Sequence, residues 1–232
     1  IVDKTLAWPD IANPESAVWV IDAEEAGTPS FSRQADVMMA PLLGQQWPDE
    51  QLDRLAFDEA VPRPGLSLAD SLRADLFDRI EQGRAITGFI GHGAPSMWTF
   101  RGLLTPDDLA ELDNIGNPTL ISTLTCYTSY FVSPHSDTVA HRWMNGYRED
   151  TFGNPIPGTA NGAVAIHGAA TLSDYAENGT VARSAMNALL DGATLGEAVE
   201  RARLWALGRG YTDQVVNWTL LGDPTLKLPA AE

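Results

Sequence analysis

The chain has 232 residues, is 44% apolar, carries a formal charge of -16 and contains one cysteine, Cys126. That length and composition can bury a full core as one or at most two domains, and the apolar runs fall well short of the roughly 20 residues that cross a bilayer. The charge argues against nucleic acid and anionic membrane surfaces as partners, and a single cysteine excludes an internal disulfide or a multi-cysteine zinc site.

The start, Ile1-Val2-Asp3-Lys4, has no initiator Met and no leader-like pattern, so it reads as cut from a longer polypeptide. Residues 1–14 are accordingly expected to be the tail of an upstream segment or linker. Ala17-Val18-Trp19-Val20-Ile21, closed by Asp22, is an unbroken apolar run and predicts a buried strand. Ser32 to Leu43 follows as a helix with Pro41 near its end. Ser67 to Gly83 predicts another, since Leu68, Leu72, Leu76 and Ile80 recur at four-residue spacing before Gly83 stops it.

Ala85 to Ile90 is the next strand, ending in Gly91-His92-Gly93. Thr105-Pro106-Asp107-Asp108 has a helix-starting pattern, with Thr105 as cap and Pro106 at the first helical position. A third strand, Pro118 to Leu124, ends at Thr125-Cys126. Ser136 to Tyr147 predicts a helix, the Gly/Pro/Asn-rich run 153–162 a loop, and Ala163 to Ile166 a fourth strand ending in His167-Gly168. Helices are expected over 178–191 and 194–208, then a last strand from Val215 to Leu221. Leu221-Gly222-Asp223-Pro224 reads as a closing turn, and residues 229–232 as a C-terminal tail.

Apolar strands alternating with helices imply an α/β fold whose mostly parallel sheet is covered on both faces. Ligands bind such sheets at the carboxyl ends of the strands. Asp22-Ala23-Glu24, Gly91-His92-Gly93, Thr125-Cys126 and His167-Gly168 all fall there. The four histidines, at 92, 135, 141 and 167, show no metal-ligand spacing, and acidic runs such as Asp22-Ala23-Glu24-Glu25 are more commonly solvated than calcium-binding.

An imidazole beside a thiol can take its proton and activate it as a nucleophile. His92 and Cys126 end consecutive predicted strands, which a right-handed crossover would set side by side. Gly93 lacks a Cβ, so its backbone N–H could approach a substrate carbonyl and, with that of Cys126, form an oxyanion hole. Glu24 or Asp22, after the first strand, could orient the imidazole. Spacing alone leaves a buried structural cysteine and a merely hydrogen-bonded histidine as an equal reading.

Four linked motifs decide between them. The runs Ile90-Gly91-His92-Gly93-Ala94-Pro95-Ser96-Met97-Trp98, Thr123-Leu124-Thr125-Cys126-Tyr127-Thr128-Ser129-Tyr130-Phe131, Gly162-Ala163-Val164-Ala165-Ile166 and Leu220-Leu221-Gly222-Asp223-Pro224-Thr225-Leu226 occur in order over roughly residues 15–228. Together they resemble the gingipain (C25) cysteine peptidases, of the caspase-fold clan. The resemblance implies a caspase/gingipain-like three-layer sandwich over residues 15–228, with Cys126 as nucleophile and His92 as general base and acid. It also implies Gly93 and Cys126 as oxyanion donors and Glu24 as the acid partner of the histidine, with Asp22 and Glu25 as adjacent candidates.

Tyr127, His167, Tyr175 and Trp98 are expected around the substrate pocket. Thr171-Leu172-Ser173-Asp174-Tyr175 resembles a loop that shapes the family's first specificity pocket, with Tyr175 near an aromatic wall; Trp98 would pack beneath the His-Gly loop, and His167 would line the pocket or make a buried hydrogen bond. Members that cut after Arg or Lys use a pocket acid, whose place falls near Ser32-Arg33 here, on neither Asp nor Glu; Asp36 lies one helical turn on.

The implied activity is a cysteine endopeptidase acting on polypeptides through a Cys126 thioester. No cofactor is required, though the resemblance admits a structural calcium. A secreted or cell-surface location, with neighbouring domains of a longer chain, is also expected. Two rival readings are a sortase-like transpeptidase using the same dyad and a catalytically silent binding domain of a larger surface protein. A binding domain would have no use for an intact His92–Cys126 pair.

Overall fold

A computed structural model describes residues 1–230 apart from 134–136, 147, 150–151, 153–154 and 157–159. Ten extended segments form in chain order: β1 (Asn13–Ile21), β2 (Leu52–Ala56), β3 (Arg84–Ile90), β4 (Gly93–Ala94), β5 (Met97–Trp98), β6 (Thr119–Leu124), β7 (Arg148–Glu149), β8 (Pro155–Ile156), β9 (Ala163–Ala169) and β10 (Trp218–Leu221). The α-helices are α1 (Val2–Ala7), α2 (Phe31–Gly44), α3 (Leu68–Glu81), α4 (Val139–Asn145), α5 (Tyr175–Leu190), α6 (Leu195–Arg209) and α7 (Thr212–Asn217).

Every residue of β3, β6 and β9 is buried, as expected of strands covered on both faces. They lie centrally in a six-stranded sheet of order β10-β9-β6-β3-β1-β2, parallel except that β10 runs antiparallel to β9. Side chains alternate between two cores. Ala17, Trp19 and Ile21 of β1 join the core under α2, α5 and α6, while Val18 and Val20 join the core under α3 and α4. The result is the expected three-layer sandwich. Close fit is visible at Gly88, where a Cβ would lie 2.0 Å from the Trp19 ring. Overpacking of this kind costs about 1–3 kcal/mol.

Helix ends follow local chemistry. Ser30 and Ser67 accept the backbone N–H of Arg33 and Asp70, capping α2 and α3, and Thr194 with Glu197 forms a capping box at α6. Asp223 accepts from the N–H and hydroxyl of Thr225, closing the turn expected after Leu221.

Two expected elements are corrected and one strand is added. Among residues 1–14, the ammonium of Lys4 is buried and donates to the carbonyls of Trp143 (2.9 Å) and Met144 (2.7 Å) at the end of α4. Trp8 is also buried, and its indole donates to the Lys227 carbonyl. No full helix starts at Thr105; its N–H and hydroxyl both donate to Asp108, closing a 3-10 turn that stops at Ala110. Val215 belongs to α7, so the last strand begins only at Trp218. The edge strand β2 was not anticipated, because Asp53 and Arg54 in its middle hide any apolar pattern. Ser136 and Tyr147, the expected ends of α4, and His135 lie outside the described residues, as does half of the run 153–162.

Candidate active site

The five parallel strands, read as β2-β1-β3-β6-β9, change their direction of growth between β1 and β3. A crevice opens at such a switch point, beyond the strands' carboxyl ends. Parallel pairing sets Ile21 beside Ile90 and Ile90 beside Leu124. The chain therefore leaves three neighbouring strands as Asp22, Gly91-His92 and Thr125-Cys126.

His92 and Cys126 line the same cavity of about 140 Å³. Thr28, Pro29 and Phe31, from the loop after β1 and the head of α2, contribute one wall; Ser173 and Asn178, after β9, contribute another. Cys126 is half-buried, with its sulfur 3.8 Å from both the hydroxyl and the carbonyl oxygen of Ser173. Tyr127, the next residue, has φ 59°, a left-handed conformation that a bulky residue adopts only when its surroundings hold it there. Its N–H donates to the Thr171 carbonyl, which ties the nucleophile turn to the loop after β9.

The ring of His92 packs edge-on against Phe31, at 5.5 Å between centroids, with Phe100 stacked 6.2 Å away. Its Nε2 lies 3.2 Å from a carboxylate oxygen of Glu25, both side chains being partly exposed (37% and 45%). The acid that meets the histidine is therefore Glu25. Glu24, expected in that role, instead accepts from the Ser30 hydroxyl (2.8 Å) and the N–H groups of Phe31 (3.1 Å) and Ser32 (2.8 Å) at the start of α2. Slight burial raises its pKa, but the donors of Ser32, Ser30 and Phe31 outweigh that and hold it below the usual carboxylate value.

Asp22 is buried and acts one step back. It accepts from the N–H of His92 (3.3 Å) and the hydroxyl of Thr99 (2.8 Å), and Arg101 stands 3.5 Å away. A Cβ on Gly91 would sit 2.4 Å from that of Asp22, so only glycine lets the histidine loop lie this close. Gly93 is equally confined: its Cβ would lie 2.6 Å from the Thr125 hydroxyl and 2.8 Å from the Cys126 carbonyl oxygen. The loops carrying the expected oxyanion donors are thus in direct contact.

The residues expected around the pocket separate. Trp98 is wholly buried, stacked on Phe89 at 5.0 Å and beside Trp143; it supports the His-Gly loop from the core and does not touch the cavity. His167 lies elsewhere too, because β9 continues past it to Ala169, paired with β10. It is 5% exposed, packs against Trp218 at 4.8 Å, and its Nε2 has no hydrogen-bond partner among the described residues. Burial, helped by the charge of Arg203, pushes its pKa down to about 4, so it is neutral near pH 7. The Tyr127 ring packs against Tyr130 and is not part of the cavity lining. Tyr175 opens α5; its side chain is outside what the structure describes.

Among the described residues no group of three or more His, Cys, Asp or Glu side chains is arranged to hold a metal, and no helix is long and apolar enough to cross a membrane. The loop Thr171–Tyr175, expected at the first specificity pocket, brings Ser173 to the cavity; the lining residue that sequence reasoning missed is Asn178, since nothing in Glu177-Asn178 distinguishes it from ordinary helix-start polarity.

Known proteins resemble this arrangement. The model of peptidase family C25 matches residues 1–229. The crystal structure of the Arg-specific cysteine proteinase gingipain R (RgpB) superposes with TM-score 0.74 at 17% identity, covering 98% of this chain and 51% of that one. A complex of Porphyromonas gingivalis RgpB pro- and mature domains matches with the same score and identity, over 98% of this chain and 52% of the other. A structure described only as a protease matches at TM-score 0.65 and 14% identity, over 97% of this chain and 50% of that one. This chain thus spans about half the length of the solved chains it matches. No curated protein matches it in sequence.

Proposed function

The chain belongs to peptidase family C25, and from that premise we propose that it is a cysteine endopeptidase with Cys126 as nucleophile and His92 as proton carrier. The carrying observation is that both side chains line one cavity while Glu25 engages the imidazole at Nε2. With Nε2 held, Nδ1 is the nitrogen that exchanges protons with sulfur and substrate. Glu25 fixes the ring's orientation.

His92 takes the thiol proton as sulfur attacks the carbonyl carbon of a peptide bond. The resulting oxyanion is received by the N–H groups of Gly93 and Cys126. His92 then gives the proton to the departing amine, the C–N bond breaks, and a thioester remains on Cys126. Water, deprotonated by His92, attacks the thioester, the C–S bond breaks, and the acid product leaves with the thiol restored. The cycle needs no cofactor. Polypeptide substrates, a secreted or cell-surface setting and neighbouring domains in a longer chain belong to the same reading, by kinship with the family.

Digestion of a mixed peptide pool, followed by mass spectrometry, tests it. Cleavage should depend on Cys126 and disappear in Cys126→Ala; a wild type that cuts nothing contradicts the proposal. Adding an amine nucleophile separates the two acyl-transfer outcomes, since a transpeptidase would yield amide products in place of free acids.

A further inference from the structure

We propose that the cavity beside Cys126 receives the side chain of P1, the residue whose carbonyl is attacked, and that it selects an uncharged aliphatic side chain against Arg, Lys, Asp and Glu. The inference rests on the peptidase reading above and adds the substrate class. It starts from the charges near the cavity: Asp36, Glu24, Glu25 and Arg101 are held by other groups, and Arg33 does not line it.

Asp36, one turn along α2 from the site, points to the sheet edge and holds Arg54 at 2.6 Å. Arg33 is exposed and is not among the cavity-lining residues. The carboxylate of Glu24 is taken by the α2 N-terminus, and Glu25 by His92, with Arg101 at 3.9 Å. Arg101 itself lies against Asp22 and Glu25. A charged substrate side chain entering here would lose its water and meet no countercharge, which disfavours either sign.

Part of the cavity's polar lining is satisfied internally, while the buried Thr125 hydroxyl has no hydrogen-bond partner among the described residues. The buried Asn178 donates to the Ser173 hydroxyl at 2.9 Å and accepts from the Trp218 indole at 3.2 Å. An apolar occupant leaves this Ser173–Asn178–Trp218 network intact, whereas a Gln or Asn side chain would have to compete with it. Phe31, Pro29 and the flanking threonines supply carbon for contact, and about 140 Å³ suits a side chain of Val or Leu size.

Peptidyl acyloxymethyl ketones identical except at P1 (Leu, Val, Ala, Arg, Lys, Asp) test this through the rate at which each labels Cys126, read by intact mass. The Leu or Val probe should label about 10-fold faster than Ala and at least about 30-fold faster than Arg, Lys or Asp. Equal or faster labelling by Arg, Lys or Asp overturns the inference, as does a failure of every peptidyl probe on a thiol that iodoacetamide alkylates in a His92-dependent way. Slow iodoacetamide labelling that ignores His92→Ala would instead sink the peptidase reading beneath it. Asn178→Asp, which puts a carboxylate in the cavity wall, should raise the Arg-to-Leu rate ratio about 10-fold; an unchanged ratio also counts against the assignment. Should that variant fail to fold, the wild-type panel decides alone.

Discussion

His92 and His167 occupy matching local sequence, each following an apolar strand and preceding a glycine, yet the fold gives them opposite surroundings. β3 ends at Ile90, so His92 lies beyond the sheet, partly exposed, against Glu25 and on the cavity of Cys126. β9 does not end at Ile166, because β10 pairs with it and sets Leu220 opposite His167 and Thr219 opposite Gly168. The second histidine is thereby sealed between sheet and helices. Whether a His-Gly motif reaches the Cys126 cavity is decided here by where its strand stops, which depends on a partner strand some fifty residues later in the chain.

The sharpest way to break that contrast is to remove each ring. His92→Ala should lower kcat/KM for a cleaved peptide by about 10³- to 10⁴-fold. His167→Gln should leave it within about threefold and show its effect in thermal or urea unfolding. Loss of activity from His167→Gln without loss of stability would reverse the assignment.

The two following glycines extend the test. Gly93→Ala drives a Cβ to within 2.6 Å of the Thr125 hydroxyl and 2.8 Å of the Cys126 carbonyl oxygen. It should therefore cost about 100-fold in kcat with smaller change in KM, since oxyanion geometry matters most in the transition state. Gly168→Ala meets the Thr123 hydroxyl at 2.5 Å, away from the cavity. Its cost should be about 1–3 kcal/mol of stability, read by urea denaturation.

Adjacent acids give a smaller, discriminating effect. Glu25→Gln should reduce kcat/KM about 10-fold with little change in stability, because His92 loses the partner that orients its ring. Glu24→Gln should cost about 0.5–1 kcal/mol of stability through the α2 N-terminus and leave kcat/KM nearly unchanged. The opposite pattern would return Glu24 to the role expected from the family motif.

A last contrast is pH. Between about 6.5 and 4 the unfolded chain protonates His167 while the fold keeps it neutral, so this group makes stability fall as pH drops through that window. The full effect is about 3 kcal/mol. Urea unfolding at pH 7 and 4.5 should show a flatter decline in His167→Gln than in wild type; identical declines would mean His167 is not excluded from protonation.

Much of the architecture was legible because burial on both faces leaves strands free of charge and rich in apolar residues, unbroken at Ala17–Ile21 and interrupted only by Thr, Ser or Gly at Ala85–Ile90 and Thr119–Leu124. The neighbouring ends of β3 and β6 followed from the same logic, and they carry His92 and Cys126. Less was legible where one residue's fate depends on a distant element. Glu24 and Glu25 differ by one position, and the Ser30-capped helix decides which carboxylate is free to reach the imidazole. α1 has too few apolar residues to announce itself, but Lys4 finds the carbonyl end of α4 and Trp8 finds the Lys227 carbonyl. Trp98 was expected both as pocket wall and as packing beneath the loop; its stacking on Phe89 settles the second.

The most direct measurement is the second-order rate of Cys126 alkylation by iodoacetamide at pH 7, in wild type, His92→Ala and His167→Gln. A working pair at the ends of β3 and β6 predicts fast alkylation that drops at least about 10-fold in His92→Ala and is unchanged in His167→Gln. Equal rates in wild type and His92→Ala would contradict the account.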